Sequence, residues 1–154
     1  MANAEQHRRI PVLQGEQADA SRHNATDVWL SASAGTGKTQ VLTARVLRLL
    51  LHGAAPESIL CLTFTKAGAA EMANRINEIL GRWVRLESAA LALDLKSLGE
   101  AFGPEEQAKA RTLFARVLDA RGGGLRIQTI HSFCQSLLGG FPAEAGLVPG
   151  FRAI

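Results

Sequence analysis

The sequence predicts an α/β fold: a parallel sheet flanked by helices, with a helical insertion between two of its strands. Three stretches carry that prediction. Val28-Trp29-Leu30-Ser31-Ala32 is an apolar run that feeds a small-residue loop, then Gly37-Lys38-Thr39 and an amphipathic helix. Ile59-Leu60-Cys61-Leu62-Thr63 is short and continuously apolar, the pattern of a buried parallel strand. Leu125 to Ile130 alternates, is β-branched enough for a strand, and leads into a second strand-to-helix junction.

Size and composition bound the rest. A chain of 154 residues is about one domain, long enough for one core. Residues 1–11 are polar and expected to be loose, with the folded unit at 12–154. A formal charge of +3 permits nucleic acid as a partner without demanding it. Cys61 and Cys134 both lie in apolar patterns and read as reduced, core or near-core thiols of a cytoplasmic protein. No spacing suggests a metal site. Behind Glu5, His7, Arg8 and Arg9 there is no long apolar segment, so neither a signal peptide nor a membrane anchor is expected.

Taken in order, Gln17 is the first residue of interest. Its amide carries donors and an acceptor and could meet a base edge; it equally fits a surface helix. Asn24 to Asp27 is a polar turn. Val28 to Ala32 is expected as the first central strand, with Trp29 packed near one face. The loop that follows, Ala32-Ser33-Ala34-Gly35-Thr36-Gly37-Lys38-Thr39, has the design of a phosphate cradle. Small residues let successive N–H groups turn inward around an anion, and the next helix points its N-terminus at the same place. Lys38 would reach the β- and γ-phosphates of ATP, and Thr39 would hold Mg²⁺ through its hydroxyl. The pattern G-x-x-x-x-G-K-[ST] starts with Gly, and here that position is Ala32. The bland alternative is a small-residue loop at a helix start, with Lys38 in solvent.

A helix is expected from Lys38 to about His52, stopped by Gly53, with Val41, Leu42, Val46, Leu49 and Leu50 as its apolar face and Leu47 and Leu51 widening it. Pro56-Glu57-Ser58 is a turn before the strand at 59–63, and the two strands with the helix between them make a right-handed β-α-β unit. Thr65 caps a helix over 66–80. Gly68 inside it costs about 1 kcal/mol against Ala, which points to close backbone approach or to drift. Phe64, at the strand tip, fits either a base-stacking platform or the core. Residues 81–121 are helical in composition, with Pro104 at a first-turn position. Ala92-Leu93-Asp94 reads as helix rather than as a strand ending in a metal-binding acid. Thr129, His131 and Ser132 sit at a strand-to-helix junction, where hydroxyls, an imidazole and helix N–H groups can grip a phosphodiester; His131 also fits a hydrogen-bonded rim residue. Phe141 to Phe151 is irregular and apolar, and apolar residues run on to Ile154, which reads as truncation.

The loop, the Thr63-Phe64-Thr65-Lys66 strand end and the Thr129-Ile130-His131-Ser132-Phe133-Cys134 junction form one ordered set. That set resembles the N-terminal part of the ATP-binding domain of UvrD/Rep-like superfamily 1 DNA helicases. It is similar above all to the AddA subunits of bacterial AddAB helicase–nucleases, which act in double-strand break repair. The resemblance covers about residues 12–154. Ala32–Thr39 looks like helicase motif I, Leu62–Met72 like motif Ia with Gly68 where Ala is usual, and Thr129–Cys134 like the next DNA-contacting motif. It implies a P-loop NTPase, RecA-like fold, of which this chain is the N-terminal part. Gln17 would read adenine, and Ala32–Thr39 would bind ATP and Mg²⁺. Thr63, Phe64, Thr65 and Lys66, with Thr129, His131 and Ser132, would line a single-stranded DNA path. The implied parent is an ATP-dependent DNA helicase with an associated exonuclease and an AddB-like nuclease partner.

After residue 39 no apolar strand leads into Asp-Glu, the acid that holds Mg²⁺ and orients water in such ATPases. By itself, therefore, the chain is expected to bind nucleotide weakly and touch DNA without useful hydrolysis, unwinding or cutting. The alternatives are another P-loop nucleotide-binding protein, or a non-catalytic DNA-binding or interaction fragment.

Overall fold

Helix-spaced apolar stripes build most of the core. The computed structural model describes residues 10–22, 27–31, 37–121, 124–148 and 150. Its elements are α1 (Glu16–Ala20), α2 (Lys38–Leu51), β1 (Leu60–Thr63), α3 (Lys66–Arg85), α4 (Ser88–Ser97), α5 (Pro104–Leu118), β2 (Arg126–Thr129) and α6 (Ile130–Gly140). On α3 the buried residues are Ala69, Met72, Ile76, Leu80 and Trp83, three or four apart and so on one face. Ala110, Leu113 and Val117 do the same on α5. These stripes close on Leu47 and Leu50 of α2 and Leu91 and Leu95 of α4. Trp83 is fully buried, and its Nε1 donates to Asp94 at 3.0 Å. Asp94 also pairs with Arg82, so this buried carboxylate has both a charge partner and a neutral donor.

β1 and β2 pair in parallel, from Leu60 opposite Arg126 to Thr63 opposite Thr129. Parallel strands need a crossover, and here α3, α4 and α5 supply it. The fold is thus a small parallel sheet flanked by helices, as the sequence predicts.

Four expectations are corrected. Val28 to Ser31 is not a strand, and Trp29 is 94% exposed rather than packed. A strand exists through ladder hydrogen bonds to a neighbour. β1 and β2 pair with each other, and none of the other described residues forms a strand. The β-α-β unit is therefore β1, three helices and β2. Second, β1 is not buried throughout. Successive side chains point to opposite faces; Ile59, just before the strand, is buried, while Leu60 and Leu62 are exposed. Third, Leu42 lies off the buried face of α2. Fourth, Cys134 is exposed, because α6 buries none of its residues. Cys61 is half-buried, and burial pushes its thiol pKa up.

Several local signals act as expected. α2 ends in a left-handed Gly53 (φ 93°), with Gly53 N donating to Leu50 O and Ala54 N to Leu49 O, both at 3.0 Å. α3 is longer than expected and runs on to Arg85. Ala92-Leu93-Asp94 is helical, and Pro104 opens α5. A further expectation is corrected: Ile10, in the 1–11 stretch expected to be loose, is buried in the core cluster. Among the described residues no helix is long and apolar enough to cross a membrane.

Candidate functional site

Of the predicted phosphate loop, Ala32, Ser33, Ala34, Gly35 and Thr36 lie outside the described residues. Its last three residues are described. Gly37 precedes α2 in the left-handed region (φ 91°, ψ 13°), where an L side chain is strained. Space is tight as well: a Cβ there would stand 3.3 Å from Gln40 Oε1, so that side chain would have to give slightly. The same position is 3.8 Å from Gln17 Nε2, so the amide of Gln17 stands beside the loop's end although 20 residues separate the two in sequence. Lys38 is exposed and Thr39 half-buried in the first turn of α2. That turn carries no acidic residue, and no side chain of the capping residue closes it. A helix end of this kind is positive and suited to an anion, so the residues present fit a nucleotide phosphate.

The second group gathers at the sheet's C-terminal edge. Thr63 and Thr129 are register partners at the ends of β1 and β2, and α3 and α6 start just beyond them. Phe64 is 86% exposed at the tip, which rules out the core reading. Thr65, Lys66 and His131 are exposed, Thr63 and Ser132 half-buried. Two hydroxyls are already committed. Thr65 Oγ1 accepts from Gly68 N at 3.0 Å, and Thr129 Oγ1 accepts from Ser132 N at 3.1 Å. Thr129 is buried, and its Oγ1 lies 2.9 Å from Ser132 Oγ. The Thr129 hydroxyl and the Ser132 N–H, both expected at a phosphodiester, are thus engaged with each other in capping α6. Gly68 is explained by close approach: a Cβ there would sit 3.0 Å from both Thr63 Oγ1 and Thr65 Oγ1.

A cleft of about 510 Å³ opens between the N-terminal half of α2 and α3, with Gln40, Thr43, Arg75 and Glu78 in its wall. Among the described residues, Gln17, Gly37, Lys38 and Thr39 are not in its lining.

The family model for the UvrD/REP helicase N-terminal domain matches residues 13–154. The chain belongs to the UvrD/REP helicase family. Its relatives agree. An ATP-dependent helicase/nuclease subunit from Lactobacillus helveticus is 38% identical over 128 residues, covering 83% of this chain and 10% of that protein. The protein of the same name from Pelotomaculum thermopropionicum is 36% identical over 142 residues, covering 89% and 9%. That from Bacillus pumilus is 33% identical over 140 residues, covering 89% and 10%. The chain therefore spans about a tenth of the length of these curated relatives.

Sequence reasoning on this UvrD/REP domain missed one group. Arg45 and Arg48, on α2, bind the other end of the short helix that carries Gln17. The signal was present: both arginines interrupt the buried stripe of Ala44, Val46, Leu47 and Leu50. A cation in such a stripe implies a polar partner across the helix face.

Proposed function

We propose that this chain is the ATP-binding and single-stranded-DNA-contacting part of an ATP-dependent DNA helicase, one component of a helicase–nuclease that serves double-strand break repair. The observation that carries the reading is the Gly37-Lys38-Thr39 start of α2, with the Gln17 amide beside it, in a chain of the UvrD/REP family. Lys38 neutralises the β- and γ-phosphates, Thr39 holds Mg²⁺, and Gln17 reads the base. Bound Mg²⁺–ATP supplies the γ-phosphoryl bond whose hydrolysis drives the parent motor. At the sheet edge Phe64 stacks on a base, while Lys66 and His131 meet the backbone. The relatives are each named as one subunit of a helicase/nuclease, which supports a separate nuclease partner for the parent. Its exonuclease activity belongs to that parent, and DNA is its substrate.

Within these 154 residues no apolar strand leads into Asp-Glu. The chain accordingly binds Mg²⁺–ATP without turning it over. Calorimetric titration of Mg²⁺–ATP into wild type and Lys38→Ala tests the reading. Saturable binding that Lys38→Ala strongly weakens supports it; no binding in wild type contradicts it. Multiple-turnover hydrolysis well above the Lys38→Ala level would overturn the claim of no turnover.

A further inference from the structure

We infer that Arg45 and Arg48 of α2 are positioning residues for the base-reading glutamine: they grip the C-terminal end of α1 and thereby fix Gln17 against Gly37. This rests on the nucleotide reading above, and it concerns which base is accepted rather than whether phosphate binds.

α1 cannot hold itself. It has five residues, and isolated helices shorter than about 12 are marginal in water. Its N-cap, Gly15, offers no side-chain cap, and Ala20 is its one buried residue. Propensity and the burial of its own side chains therefore do little to place α1. Two arginines of α2 hold its C-terminal end. Arg45 Nη1 donates to Ala20 O and to Arg22 O, each at 3.0 Å. Arg48 Nη1 donates to Ser21 Oγ at 2.9 Å and lies 3.5 Å from Ala18 O. The carbonyls at a helix C-terminus carry partial negative charge, so two guanidinium groups there are well matched.

The grip is itself anchored. Arg48 is buried, and its Nε donates to Glu100 Oε1 at 2.6 Å. The other oxygen of Glu100 lies 2.7 Å from His52 Nε2, at the end of α2. Ser21, the residue Arg48 reaches, is 1% exposed. One rigid helix thus carries Gly37 at its start and the two arginines two to three turns further on. The element that begins at the phosphate loop also sets the place of the glutamine beside it.

The test compares Mg²⁺–ATP and Mg²⁺–GTP affinity for the full chain in wild type, Gln17→Ala, Arg45→Ala and the double variant. Wild type is expected to prefer ATP about tenfold, the worth of one well-made hydrogen bond. Arg45→Ala should lose that preference as Gln17→Ala does, keep its affinity for GTP, and add nothing when combined with Gln17→Ala. Arg45→Lys, which keeps the charge with a different donor geometry, should fall between. If Arg45→Ala does not fold, judged by circular dichroism, Ser21→Ala carries the test, since it removes the hydroxyl that Arg48 binds. An Arg45→Ala chain that keeps the wild-type ATP:GTP ratio overturns the inference, as does a double variant whose losses add. Wild type that binds neither nucleotide overturns the proposed function with it. Wild type that binds both equally, with Lys38→Ala strongly weakened for both, overturns this inference and leaves the phosphate reading standing.

Discussion

α2 starts differently from α3 and α6. α2 begins at a left-handed glycine with no side-chain cap. α3 and α6 begin at Thr65 and Thr129, whose hydroxyls accept from the N–H groups of Gly68 and Ser132. A helix leaves its first N–H groups without intrahelical partners. At α3 and α6 the chain satisfies some of them itself; at α2 glycine brings no side chain to do so. The difference separates two kinds of helix start in one fold. Under the proposed function, the uncapped start of α2 is the one suited to a nucleotide's phosphates, and DNA contact at the sheet edge would fall to the exposed side chains of Phe64, Lys66 and His131.

This contrast can be broken in graded steps. Lys38→Ala should weaken Mg²⁺–ATP binding the most, by about 2–3 kcal/mol or 30- to 150-fold in titration calorimetry, since it removes a charged hydrogen-bond donor. Thr65→Ala should leave that affinity unchanged. Phe64→Ala should cost roughly 2 kcal/mol, about 30-fold, in binding a labelled thymidine oligomer measured by fluorescence anisotropy, with ATP affinity intact. A Phe64→Ala chain that binds DNA like wild type would remove the stacking role. Gly37→Ala forces an L residue to positive φ and should cost about 1–2 kcal/mol in thermal or urea stability, in nucleotide affinity, or shared between them. The smallest expected effect sharpens the contrast from the other side. Thr65→Ala and Thr129→Ala should each lower stability by about 1 kcal/mol in urea unfolding, the usual worth of an N-cap.

Local signals were legible and non-local ones were not. The start of α2 at Lys38, its stop at Gly53, the Thr65 cap and the opening of α5 at Pro104 each depend on a few neighbouring residues, and the structure forms all of them. The strand expected at Val28 to Ala32 does not form over its described residues, Val28 to Ser31, for the opposite reason: apolar composition says nothing about a partner. The composition of β1 marks it as a strand but does not reveal that only one of its faces is covered. At the candidate site Gln17, Gly37 and Thr129 were named from sequence, yet two features were hidden in it. One is the commitment of Thr129 to its own helix. The other is the hold on α1, whose contacts span 23 to 52 residues from Arg45 to Arg22 and from Arg48 to Glu100.

The most direct measurement is a backbone-resolved ¹⁵N–¹H NMR titration of the chain with Mg²⁺–ATP. The account expects the amide signals of Gly37, Lys38 and Thr39 and the side-chain amide of Gln17 to move and saturate together, while Gly68 and Ser132 stay in place. Saturating shifts at Gly68 and Ser132 with none at Gly37 to Thr39 would contradict it, as would a spectrum that ATP leaves unchanged.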